Sequence, residues 1–130
     1  VIQLRGGEVA NAHRQDVPFP AGGRQRDALE LLQAALQRGL ALGAYVSVSG
    51  ILSFKSAKDV RAVIQDVPLD RIILETDCPY LTPMPYRGRR NEPAYLPYVA
   101  DALADMHGLS REEIGRMCEA NALNLFSKIS

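Results

Sequence analysis

Hydrophobic positions first acquire a period near residue 27. In residues 27–43, "DALELLQAALQRGLALG", Leu29, Leu32, Leu36 and Leu40 recur at helical spacing, and Gly39 or Gly43 can end that helix. "AYVSVSG" then alternates, with Tyr45, Ser47 and Ser49 on one face and Val46 and Val48 on the other, which predicts a short strand. "SAKDVRAVIQDVP" predicts a second helix with Ser56 as its cap and Asp59 near its positive end. Its buried stripe is Val60, Val63, Ile64 and Val67. "RIILET" predicts a second strand, and the consecutive Ile72, Ile73 and Leu74 fit a parallel strand covered on both faces. Two helices close the chain. One buries Val99, Leu103 and Met106. The other follows Ser110, whose "SREE" fits a capping box, and buries Ile114, Met117, Cys118 and Leu125. Residues 1–26 have no sustained period and read as irregular or disordered.

The predicted order is helix, strand, helix, strand, long loop, helix, helix. Strand–helix–strand alternation implies parallel strands joined by a right-handed crossover. Two strands alone make a marginal sheet. Val46, Val48, Ile72 and Ile73 would then be left partly uncovered, which is an opening for self-association.

Composition changes this picture little. The chain has 130 residues, 47% of them hydrophobic, with fifteen basic residues balanced by fifteen acidic ones. This suits one domain with a core and carries no global pull toward nucleic acid or membrane. Local charge is another matter, because residues 87–90 carry three arginines. Cys78 and Cys118 show no metal or redox spacing and read as reduced thiols of a cytoplasmic protein. No apolar run approaches the roughly 18 residues of a membrane helix, and the start has no leader pattern. The first residue is Val rather than Met, in keeping with a processed or cut start.

The chemistry concentrates in "RIILETDCPYLTPMPYRGRRNEP". In α/β architectures catalytic groups sit where strands end. Asp77 falls at such an end, and Glu75, two residues earlier, faces the same side of the strand. A carboxylate there can hold a divalent metal or accept a proton from a metal-bound water. It can equally cap a turn or pair with Arg71, Arg87, Arg89 or Arg90. The arginine-rich loop reads in two ways as well. Its guanidinium forks suit phosphate oxygens, or it is a solvated loop tethered by its prolines. Tyr80, Tyr86, Tyr95 and Tyr98 could stack on bases or pack the loop down. His13 and His107 lack ligand spacing.

These residues also carry a resemblance. "YVSVSGILSFKSAKDV", "DRIILETDCPYLTPMPYRGRRNEPAYLPYVADALA" and "EANALNLF" resemble the TatD-related deoxyribonuclease family, over residues 43–126. The resemblance implies an α/β fold, namely the C-terminal portion of a (β/α)₈ TIM barrel of the amidohydrolase type, with the last two strands and their helices in residues 27–130. It implies a metal-dependent hydrolase acting on phosphodiester bonds of DNA. Divalent metal ions are implied as cofactors, two per complete site, with Asp77 as metal ligand and catalytic carboxylate. Glu75 lies in the same element and would support Asp77 from behind. Arg87, Arg89, Asn91 and Glu92 match a loop beside the site and are candidates for shaping it or binding substrate.

The family's amino-terminal His-x-His pair, its internal glutamate ligand and its later histidine ligands have no counterpart here. "DALEL", from Asp27, stands where one of those histidines is expected. A complete barrel needs about 250 residues. The mismatch over residues 1–35 points to a truncated or frame-shifted reading. The 130-residue chain is therefore expected to be inactive by itself. The alternatives are an inactive fragment that assembles with another chain, and a nucleic-acid-binding module that uses the arginine loop.

Overall fold

The computed structural model describes residues 2–3, 9–10 and 25–127, with side chains from residue 29 onward. Its elements are β1 (Ile2–Gln3), β2 (Val9–Ala10), α1 (Gln25–Ala41), β3 (Tyr45–Val48), α2 (Lys58–Gln65), β4 (Ile72–Leu74), α3 (Leu96–His107) and α4 (Arg111–Leu125). Short 3₁₀ turns occupy Gly50–Ser53, Leu69–Arg71 and Pro93–Tyr95.

β3 and β4 pair in parallel, with Val46 opposite Ile72 and Val48 opposite Leu74, and α2 makes the crossover between them. This is the strand–helix–strand unit expected from the sequence. The sheet has four strands rather than two, in the order β2-β1-β3-β4. β1 is antiparallel to both β2 and β3. Residues 1–26 thus contribute two very short strands where an irregular segment was expected. Pairing at a strand edge uses main-chain groups and makes little demand on side-chain pattern, so no period announces it. His13 lies outside the described residues.

The core joins the sheet to α1 through Leu36, to α2 through Val63, Ile64 and Val67, and to α3 and α4 through Val99, Leu103, Ile114 and Cys118. The expectation that Val46, Val48, Ile72 and Ile73 would be left uncovered is corrected, since all four are buried. β3 is buried along its whole length, including Ser47, although its alternating pattern suggested a strand with one wet face. α3 and α4 pack against β4, and α1 and α2 border an apolar cavity beside β3. Large exposed apolar residues lie elsewhere, at Leu31, Leu32 and Leu42 of α1 and its end, and at Leu123 and Phe126 of α4 and its end. Leu32, one of the four leucines at helical spacing in α1, is among them.

Local signals were read with mixed success. Ser110 caps α4, its hydroxyl accepting from the Glu113 N–H while the Glu113 carboxylate accepts from the Ser110 N–H. Ser56 does not cap α2; the cap position is Ala57, with no side-chain cap hydrogen bond. Burial pushes the Cys118 thiol up to about 11, so it is an inert core group at neutral pH. Cys78 is exposed and free. No helix among the described residues is long and apolar enough to cross a membrane.

Asn121, from the closing "EANALNLF" stretch, carries a role the sequence did not announce. Its buried carboxamide donates to the carbonyls of Leu69 (2.8 Å) and Ile72 (2.7 Å). It therefore anchors α4 to the entry of β4. Asn121→Ala would strand two buried acceptors, so we expect a loss of about 1–3 kcal/mol in urea unfolding. An unchanged midpoint would remove Asn121 from this role.

The Ser110 hydrogen bonds, the backbone one foremost, hold the Glu113 carboxyl below its usual range. A depressed folded pKa adds stability above the ordinary value of 4.5, and that stability is lost as pH falls through the folded value. Glu113→Gln is thus expected to lower Tm near neutral pH and to converge on the parent in strong acid. Parallel melting curves at all pH values would contradict this.

Candidate active site at the carboxyl end of β4

β4 ends at Leu74, but its parallel ladder continues one step, because Glu75 N–H donates to the Val48 carbonyl at 2.9 Å. The chain then leaves the sheet through Thr76 and Asp77. Glu75 and Asp77 both line a cavity of about 330 Å³ whose other walls are mostly apolar, from Leu36, Val46, Val48, Leu52 and Val63 among others. Both residues therefore border one space, Glu75 from the end of the ladder and Asp77 from the left-handed turn after it. Glu75 is half-buried and Asp77 is exposed. The buried Ser47 hydroxyl borders the same cavity without a hydrogen-bond partner.

Asp77 adopts φ 56°, in the left-handed region, as does Leu81 at φ 54°. Outside glycine this conformation is uncommon, and aspartate is among the side chains that tolerate it best. Surrounding bonds hold the segment there. Tyr80 N–H donates to the Asp77 carbonyl at 2.9 Å. Asn91, only 3% exposed, donates from its amide nitrogen to the carbonyls of Thr76 and Tyr80, both at 2.6 Å. Its backbone N–H reaches the Pro79 carbonyl at 3.0 Å, and its side-chain oxygen accepts from Glu92 N–H at 2.9 Å. The carboxamide is thus spent on backbone, on both sides of Asp77.

The rest of the loop is held as firmly. The buried Thr82 hydroxyl donates to the Arg89 carbonyl at 2.6 Å. Ser53 accepts from Met84 N–H at 2.9 Å and donates to the Gly50 carbonyl at 2.7 Å. Gly50 touches the loop backbone so closely that a Cβ there would overlap the Leu81 carbonyl oxygen. Arg61 fixes this 3₁₀ turn to α2 by donating to the carbonyls of Leu52 and Phe54. Tyr86 stacks on Tyr95 at 4.6 Å between centroids and meets Tyr98 edge-on at 5.0 Å. The hydrogen bond to Tyr86 raises the pKa of the Tyr98 hydroxyl.

The structure separates the sequence candidates into two groups. Glu75 and Asp77 share the cavity. Arg87, Arg89 and Glu92 are exposed on the loop, with Arg87 over the Phe54 ring at 3.9 Å and Arg89 beside Tyr86 at 5.6 Å. Among the described residues no ion pair joins these arginines to Glu75 or Asp77; the ion pair present is Arg111–Asp101. Arg71 lies over Tyr45 instead. Gly50, Ser53 and Thr82 were missed by sequence reasoning. Only Gly50 left a signal, a glycine directly after a strand, which marks close backbone approach.

A divalent metal does not find a complete ligand set here. Among the described residues no three His, Cys, Asp or Glu side chains converge on one point. Two carboxylates on one cavity form part of a ligand shell at most, since catalytic metals generally take three or more protein ligands.

Gly50→Ala should force the loop off the 3₁₀ turn and cost about 1–3 kcal/mol. Asn91→Ala should accelerate hydrogen exchange at Tyr80 and Asn91 by more than about tenfold, since each lost buried bond is worth roughly 1 kcal/mol or more. Unchanged exchange would show that the loop holds itself without the carboxamide.

Comparison with known proteins gives the family. The model of the family described as TatD related DNase matches residues 29–127. A protein of Bacillus subtilis named an uncharacterized metal-dependent hydrolase, YabD, is 46% identical over 82 residues, which cover 63% of this chain and 32% of that protein. A protein of Erwinia billingiae named 3′-5′ ssDNA/RNA exonuclease TatD is 38% identical over 102 residues, covering 75% of this chain and 38% of that one. The crystal structure of YJJV, a TatD homologue from Escherichia coli, superposes with a TM-score of 0.66 at 27% identity, over 73% of this chain and 37% of that one. The chain spans about a third of the length of the curated relatives it matches. TatD proteins are TIM barrels, and this chain, with its parallel β3–α2–β4 unit, is likewise α/β. The chain belongs to the TatD related DNase family.

Proposed function

We propose that this chain supplies the last two strands of a TatD-type (β/α)₈ barrel that hydrolyses phosphodiester bonds of DNA with divalent metal ions. The observation that carries the reading is the position of Asp77. The residue follows the carboxyl end of a parallel strand, borders the same cavity as Glu75, and is free of ion pairs among the described residues. A carboxylate kept merely for structure would be expected to pair with one of the nearby arginines. In this reading Asp77 is the residue of this chain that faces the metal. Glu75 flanks it, and Asn91 is a positioning residue that sets the backbone on either side of it. Arg87 and Arg89 are the groups available to phosphate oxygens.

The described residues contain too few ligands for a metal centre, so they are expected to cleave nothing measurable by themselves. The remaining ligands must then come from residues outside those described or from a second polypeptide.

A chimera tests the reading. Residues 44–127 replace the corresponding segment of a full-length relative with measurable nuclease activity. The chimera is expected to cleave DNA with added Mg²⁺ or Mn²⁺, and Asp77→Ala within it should lower kcat by at least about 10²-fold, as expected for loss of a preorganised charged group. A chimera whose activity survives Asp77→Ala would contradict the assignment.

A further inference from the structure

The three arginines of residues 87–90 are mounted differently. The Arg87 guanidinium carbon lies 3.9 Å from the centre of the Phe54 ring, at stacking distance. Arg89 stands 5.6 Å from the centre of the Tyr86 ring, near the outer limit of about 6 Å for such contacts. Arg90 lies over no ring among the described residues. Arg87 is exposed, and no ion pair among the described residues engages it. Stacking occupies the face of a guanidinium. Its N–H donors lie in the plane and stay available to an oxyanion.

Phe54 is itself held from several directions. It follows the 3₁₀ turn Gly50–Ser53, and its N–H donates to the Ile51 carbonyl at 3.0 Å. Its carbonyl accepts from the Ala57 N–H at 3.0 Å and from the Arg61 guanidinium. Arg61 also donates to the carbonyls of Leu52 and Lys55, at 3.2 and 3.4 Å, so one side chain of α2 gathers residues 52–55. The arginine rests on the same turn. Ser53 accepts from the Met84 N–H at 2.9 Å, and reverse turns from Pro83 to Tyr86 and from Tyr86 to Arg89 carry the chain past Arg87. Ring and cation therefore share one mount. A free arginine loses rotamer freedom when it grips a ligand, whereas one already stacked has lost part of it, and the difference appears as affinity.

We infer that Phe54 is a positioning residue: it holds Arg87 as the preorganised oxyanion fork of this loop, with Arg61 fixing Phe54 in turn. The inference rests on the phosphodiester reading of the site. It adds which arginine grips the phosphate and which side chain sets that arginine.

The test is side-chain NMR of the 130-residue chain, following the Nε–Hε signals of Arg87, Arg89 and Arg90 during titration with inorganic phosphate. Ionic strength is held constant with NaCl so that screening does not change, and EDTA is present so that no metal enters. In the parent, the Arg87 Hε signal is expected upfield of the other two, shifted by the ring, and responsive at the lowest phosphate concentration. Phe54→Leu should erase the upfield shift and weaken the Arg87 response about 2- to 5-fold, with Arg89 and Arg90 unchanged. Phe54→Tyr, which keeps the ring face, should restore both to within about twofold of the parent. Arg87→Lys, at an exposed position that does not threaten folding, keeps the charge but not the fork. It should weaken phosphate binding, read from phosphorus line broadening, by a similar factor. An Arg87 response no stronger than those of Arg89 and Arg90, a response indifferent to Phe54→Leu, equal changes at all three arginines, or full binding by Arg87→Lys each overturns the inference. No metal and no cleavage is involved, so these outcomes are separable from the hydrolase reading, which stands or falls on Asp77 in the chimera.

Discussion

The geometry after β4 depends on one buried carboxamide. A loop of this length has no sheet ladder or helix to satisfy its backbone, yet buried carbonyls must find donors. Asn91 supplies two of them, to Thr76 and Tyr80, and so brackets Asp77, one of the two left-handed non-glycine residues of the loop. A non-glycine residue in that conformation costs on the order of 1–2 kcal/mol. Two short hydrogen bonds from a fully desolvated amide are large enough to offset it. The same bonds set Tyr80 at the opposite end of the turn. Acid and aromatic ring are thus fixed by one side chain that touches neither.

Charge is distributed along this loop without being neutralised. Glu75 and Asp77 face the cavity, while Arg87, Arg89 and Arg90 face outward. The guanidinium groups that do find partners find aromatic rings, and the ion pair among the described residues is remote, between α3 and α4. Neither Glu75 nor Asp77 is neutralised by an ion pair among the described residues. Uncompensated arginines mounted on aromatic rings invite an anion. The two halves of the loop therefore ask for ligands of opposite sign, which is what a metal and a phosphodiester together provide.

Much of this was legible in the sequence. The strand–helix–strand unit was visible in Val46, Val48 and Ile72–Leu74, because apolar patterning reports burial directly. The Ser110 capping box was legible because both partners lie within one helical turn. Asp77 and Glu75 were legible through their place at a strand end and through the family motif. Other features depend on contacts that no local pattern encodes. β1 pairs with β2 and β3 where the sequence shows no period. Ala57, not Ser56, takes the cap position of α2. Ser53 meets Met84 across 31 positions, and Asn121 reaches Leu69 across 52. Asn91 was singled out as a candidate, but only the structure reveals that its polar atoms are committed to the backbone. Likewise, no spacing rule distinguishes Tyr80 from Tyr86; only packing does.

The central claim is that the carboxyl end of β4 is the cation-facing pole of this chain, even where its two carboxylates bind weakly. Paramagnetic broadening by substoichiometric Mn²⁺ in amide-resolved NMR tests it most directly, because weak and incomplete sites still register. The account predicts that Glu75, Thr76, Asp77 and Cys78 broaden first and that Asp77→Asn abolishes this selectivity. Broadening centred on other acidic residues such as Asp101 or Asp105, or a pattern indifferent to Asp77→Asn, would contradict it.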